Sequence, residues 1–213
     1  MKHSGVVVAI AVVLAGVAGA GPASAQCPVV ANGTFTSDVS GWSNFATWDG
    51  SLGNPVGSDK VGPVNAGGSM TCGDSLSTCV PVTAGANCTL SAQAYVPSGQ
   101  PTNGNGDVSY VFFSDAGCTT VLSLSTQATI PGSQQGTWVS LSTGKVTIPA
   151  GAHSAQVALN VCAPPGTSMT INWDNVVSAA YQELIPTLST KGLLLFGALL
   201  ALVGLVALRA VRG

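Results

Sequence analysis

The sequence predicts an all-β ectodomain of the sandwich or jelly-roll kind, set between an N-terminal export signal and a C-terminal membrane helix. Three observations carry this. Apolar residues alternate with a period of two, short runs of them are separated by Gly- and Pro-rich turns, and no stretch before residue 184 has helical periodicity.

Residues 1–25 read as a signal peptide. Lys2 and His3 precede the apolar run Val6 to Ala20, and Ala23-Ser24-Ala25 supplies small side chains for cleavage before Gln26. A lipid-modified cysteine requires a small preceding residue, so Gln26 argues against lipidation of Cys27. Residues 26–183 are long enough for one domain with its own core.

Within that domain, Thr89 to Val96 places Leu90, Ala92, Ala94 and Val96 on one face and Ser91, Gln93 and Tyr95 on the other. Ser154 to Cys162 repeats the pattern. Ala155, Val157, Leu159 and Val161 face one way and Gln156, Asn160 and Cys162 the other, so Cys162 is expected to bond on the outer surface or to a covering loop. Asp107 to Phe113, Val121 to Ile130, Thr137 to Ile148 and Ser168 to Val177 are further strands, separated by turns such as Pro131-Gly132 and Pro164-Pro165-Gly166. Gly50 to Gly68 is so rich in Gly, Pro and Asn that a surface loop is expected there.

After the domain, residues 184–191 form a short spacer, and residues 192–208 carry no charge over a span of about 25 Å, near the lower limit for a membrane helix. The basic end, residues 209–213, contains Arg209 and Arg212 and is expected to stay in the cytoplasm, with the ectodomain in the periplasm.

Six cysteines, Cys27, Cys72, Cys79, Cys88, Cys118 and Cys162, all lie between the two membrane signals, which suits three disulfides in an oxidising compartment. Spacing does not fix their pairing. Cys79 with Cys118 is the first expectation, because each ends a neighbouring predicted strand. No CxxC occurs, and His153 stands alone, so a cysteine–histidine metal site is not expected.

The domain's two lysines stand against eight carboxylates, a formal charge of −6. Nucleic acid is therefore excluded as a partner, since its phosphates are bound by clustered Lys and Arg. Catalysis is not expected either. The only glutamate, Glu183, is the last residue of the domain, next to the juxtamembrane spacer, no pair of aspartates is singled out by spacing for glycoside hydrolysis, and no GxSxG accompanies His153.

The tail, Ile185-Pro186-Thr187-Leu188-Ser189 followed by Gly192, the apolar segment and the arginines, resembles the IPTL-type C-terminal sorting signal of Gram-negative bacteria. That resemblance implies recognition and cleavage by a membrane-embedded exosortase and release of the domain to the cell surface. An ordinary single-pass membrane anchor is the alternative.

The ectodomain itself resembles carbohydrate-binding modules with a galactose-binding-like jelly roll. Asn32-Gly33-Thr34-Phe35, then Gly41-Trp42, is similar to the opening strand of such modules. Trp138, Ile148-Pro149-Ala150-Gly151-Ala152 and Trp173-Asp174-Asn175-Val176 are similar to their closing strands. The resemblance implies a non-catalytic module for a surface or matrix polysaccharide, and a structural calcium tying the first strand to the last through Asn32 and Asp174. A structural matrix or adhesion protein without a small-ligand site is the alternative.

Sugar binding needs flat aromatic faces beside planar amides or carboxylates. Trp42 and Trp173 are expected in the core. Trp48, beside Asp49 in a loop, and Tyr95, outward beside Gln93, are better platforms, and Trp138 is equally consistent with either role. Tyr95, Gln93, Gln156 and Asn160 are expected to share one sheet face.

Overall fold

The computed structural model describes residues 27–182. The signal peptide, the IPTL-like motif, the apolar segment and the basic end lie outside the described residues. Strand forms at β1 (Trp42–Asn44), β2 (Ala46–Asp49), β3 (Ser58–Asn65), β4 (Thr71–Ser77), β5 (Val80–Pro81), β6 (Asn87–Tyr95) and β7 (Asn105–Phe113). It continues at β8 (Val121–Leu124), β9 (Ala128–Pro131), β10 (Trp138–Ser142), β11 (Val146–Thr147), β12 (Ser154–Ala163) and β13 (Ser168–Ala180). No helix occurs among the described residues.

Two sheets face each other across one core. The seven-stranded sheet runs β1-β4-β12-β7-β8, with β5 on β12 and β9 on β7. The six-stranded sheet runs β10-β6-β13-β3-β2, with β11 on β6. All assigned pairs within the sheets are antiparallel, and β4, β12 and β7 lie over β3, β13 and β6. This is a jelly-roll-like β-sandwich.

Period-two alternation decides which side chains meet between the sheets. From β6 the core receives Cys88, Leu90, Ala92 and Ala94; from β12 it receives Ala155, Val157, Leu159 and Val161. Trp42 and Trp173 lie in that core, as expected. The Tyr110 hydroxyl spans the layers, lying 2.6 Å from Ser178 Oγ and donating to the Thr89 carbonyl at 3.1 Å.

The disulfides are Cys27–Cys88, Cys72–Cys162 and Cys79–Cys118. The expected Cys79–Cys118 pair is present. Cys162 does face outward, where it meets Cys72 as its direct cross-strand partner.

Several elements differ from expectation. Gly50 to Gly68 is not one loop, because β3 within it is an interior strand between β2 and β13. Gly62 and Pro63 sit where the register against β13 shifts between Met169 and Ile171, and a bulge accommodates residues that a regular ladder would not. The opening Asn32-Gly33-Thr34-Phe35 is a turn rather than a strand. A side chain at Gly33 would stand 2.1 Å from the Val176 carbonyl, so the chain can pass there only as glycine. Val121 to Ile130 divides into β8 and β9, and Thr137 to Ile148 into β10 and β11.

Candidate functional site

The outer face of the six-stranded sheet brings together three of the expected residues. Tyr95 and Gln93 point away from the core on β6, and β10 sets Trp138 directly opposite Tyr95 and Ser140 opposite Gln93. The two rings pack with centroids 5.4 Å apart and planes inclined by 41°, and both are half-buried. Beside them lies a shallow depression of about 220 Å³ lined by Ser91, Ala92, Gln93, Ser140, Leu141 and Asn175.

On the other flank of β6, β13 sets Asn172 opposite Tyr95 and Asp174 opposite Gln93. The register shifts between Asp174 and Val177, and Asn175 takes a positive φ of 49°, a conformation asparagine tolerates better than most residues. Its side-chain amide donates to Gln93 Oε1 at 3.1 Å and to the Asn54 carbonyl at 2.9 Å. Asn172 donates to Asp49 Oδ2 at 3.1 Å and to Ser58 Oγ at 3.0 Å. Asp174 accepts the backbone N–H groups of Asn54 and Asn175 at 2.8 and 2.7 Å. Burial raises its pKa, with those two N–H groups opposing the rise. Asn172 and Asp174 are themselves buried and act as supports, so the groups left at the surface beside the aromatic pair are the Gln93 and Asn175 amides and the Ser140 hydroxyl, a surface suited to pyranose C–H faces and hydroxyls.

Trp48 does not join this face. It lies on edge strand β2, where its indole N–H donates to the Phe35 carbonyl at 2.8 Å and its ring covers Gly50 so closely that a Cβ there would stand 2.4 Å away. Although 43% exposed, it anchors the opening turn.

Gln156 and Asn160 are on the opposite side of the molecule. Both belong to β12 of the seven-stranded sheet and point outward there, so the expected single face with Tyr95 and Gln93 does not exist. Alternation gave each strand's outward set correctly, but not the sheet to which each strand belongs. Gln156 donates to the Ser77 carbonyl at 2.9 Å, and Asn160 to Asp107 Oδ1 at 3.0 Å. Burial raises the Asp107 pKa, an effect the Asn160 amide partly opposes.

The two residues expected to hold calcium are engaged in separate hydrogen-bond sets. Asn32 donates to Asp38 Oδ1 at 2.9 Å and to the Asp38 and Ser40 carbonyls at 3.0 and 3.2 Å, whereas Asp174 serves Asn54 and Asn175. As placed, they share no partner. The opening turn is joined to β13 by the Val176 N–H, which donates to the Gly33 carbonyl at 2.8 Å. Among the described residues, no three His, Cys, Asp or Glu side chains converge as metal ligands would.

Asn175 and Ser140 are members of this face that the sequence does not mark as sugar contacts. The available signal was weak: Asn175 follows Asp174, and ordinary alternation would direct it into the core.

No family model and no curated protein sequence matches the chain. Solved structures do resemble it. The xylan-binding domain from carbohydrate-binding module family 22 aligns with a TM-score of 0.51 at 15% identity, over 77% of this chain and all of that one. A two-module fragment of Clostridium thermocellum xylanase 10B, complexed with xylohexaose, gives 0.51 at 14% identity over 73% of this chain. An α-L-arabinofuranosidase gives 0.53 at 14% identity over 74%. This chain spans only 29% and 27% of those two proteins. At such identities the likeness establishes the fold, a β-sandwich of the kind found in carbohydrate-binding modules.

Proposed function

We propose that the domain is a non-catalytic carbohydrate-binding module of an exported protein, and that it holds a polysaccharide against the Tyr95–Trp138 face. The observation carrying this is the adjacency of that ring pair to the Gln93 and Asn175 amides. Aromatic side chains supply broad contact with little entropy to lose, and the pre-positioned amides orient hydroxyls without rearrangement. Three disulfides support export, and the likeness in fold to a xylan-binding domain supports the polysaccharide ligand.

A glycan array including xylans, run on the domain with and without calcium, tests this. Binding is expected in the parent and is expected to fall at least tenfold in Trp138→Ala. Absence of binding by a folded domain in both conditions would favour the structural matrix or adhesion alternative.

We further infer that the C-terminal segment delivers this module. The IPTL-like motif, the uncharged stretch 192–208 and the two arginines suit membrane insertion followed by exosortase cleavage and transfer to the surface. Mass spectrometry of the surface-exposed protein should find a C-terminus near Pro186; an intact Gly213 would overturn sorting by cleavage.

A further inference from the structure

Strand β8 ends the path of the seven-stranded sheet, so its outer backbone N–H and C=O groups face no strand among the described residues. Within its four residues, Val121 is 60% exposed, Leu122 41% and Leu124 59%. Exposed edges of this kind are ordinarily guarded by charge, proline or a covering segment. Here, residues 116–144, which include β8, β9 and β10, contain no Asp, Glu, Lys, Arg or His. The opposite flank differs: edge strand β2 ends in Asp49, and Trp48 folds over it.

We propose that β8 pairs antiparallel with β8 of a second copy of this chain, joining two domains edge to edge about a two-fold axis. Self-pairing suits this flank in particular. The domain's net negative charge repels a second copy elsewhere, but an uncharged strip removes that cost and is complementary to itself under two-fold symmetry. The pairing satisfies the open backbone groups and brings the three apolar side chains against cross-strand neighbours that shield part of their surface. Four residues bury little area, so the association is weak and concentration-dependent.

The geometry has a consequence for ligand binding. Antiparallel pairing of identical edges sets the two-fold axis normal to the sheet, so both copies present the same faces to the same side. Strand β10, which carries Trp138, edges the other sheet on this flank, where it approaches β9. The two aromatic faces would therefore lie on one side of the dimer and engage one polymer bivalently. This consequence rests on the carbohydrate-binding function, whereas the pairing itself does not.

Sedimentation velocity on the 26–183 domain, whose core and three disulfides are self-contained, tests the pairing without any glycan. The parent should pass from monomer to dimer between micromolar and millimolar concentration. The double variant Leu122→Lys, Leu124→Lys should weaken dimerisation at least tenfold, while Val56→Lys, at a similarly exposed apolar position in the loop between β2 and β3, should leave it unchanged. Hydrogen exchange should show β8 amides protected at high concentration and released on dilution. A parent that stays monomeric throughout, or a dimer insensitive to the β8 double variant, overturns the proposal. Glycan binding retained in a monomeric parent would separate that failure from failure of the sugar-binding function.

Discussion

The Asn175 side chain donates to Gln93 Oε1 at 3.1 Å, which engages the oxygen of that amide and leaves its N–H groups free of this bond, on the strand face that also carries Tyr95. Asn175 also holds the Asn54 carbonyl, so one asparagine fixes both the amide and the loop beside it. The face is thereby built as a hydrogen-bond donor next to an aromatic pair.

Asn175→Gly tests that role, because glycine accepts the positive φ and removes only the amide. Loss of one positioning hydrogen bond should weaken glycan binding by about 1 kcal/mol, roughly fivefold, with the circular dichroism spectrum unchanged. Unaltered affinity would show that Gln93 is oriented by something else.

Asp59 gives the fold a pH dependence of its own. It is fully buried on the core side of β3; one oxygen accepts the Thr47 N–H at 3.2 Å and the other has no partner. The Ser75 hydroxyl lies near it but closes no hydrogen bond. Burial pushes the carboxyl up to about 6 from an ordinary 3.8, against the smaller opposing effects of Ser75 and Thr47. Between these values the native state holds a proton that the unfolded chain has released. This contribution is therefore complete below the window and is lost as pH rises through it, roughly 3 kcal/mol in all. Asp59→Asn should flatten the difference in urea midpoint between pH 4 and pH 7 and stabilise the domain at pH 7. An unchanged slope would remove Asp59 as its source.

Cys79 and Cys118 close a loop of 39 residues and fasten the turn after β7 to the segment before β5. Replacing both with serine should cost about 2–4 kcal/mol by the chain-entropy estimate. Because that turn is remote in register from Tyr95 and Trp138, glycan affinity should stay within twofold. A large loss of affinity in a folded variant would instead tie the turn to the binding face.

Much of this arrangement was legible from alternation. The inward and outward sets of β6 and β12, the outward direction of Cys162 and the burial of Trp42 and Trp173 all follow from a period of two. Sheet membership did not, because Gln93 and Gln156 lie on strands with the same local pattern and only long-range pairing assigns those strands to different layers. Strand β3 was hidden by Gly62 and Pro63, which ordinarily punctuate chains but here occupy a bulge. Trp48 looked like a platform because its partner, the Phe35 carbonyl, lies in a turn whose course no periodicity describes.

Tyr110 couples the two layers through a single hydroxyl. Its ring is buried on β7, while its oxygen meets Ser178 Oγ on β13 and the Thr89 carbonyl on β6. Burial pushes the phenol up to about 12, with Ser178 acting against it, so the hydroxyl stays protonated throughout the neutral range. Tyr110→Phe keeps the ring and deletes the bridge, which should cost about 1–2 kcal/mol because a buried carbonyl and a serine hydroxyl lose a partner. Ser178→Ala removes only one of those contacts. In a double-mutant cycle the two changes should therefore cost less together than the sum of each alone, since they share one bond. Strict additivity in urea unfolding would show that the hydroxyls are neighbours without a stabilising interaction, leaving cohesion between the layers to apolar packing and the disulfides.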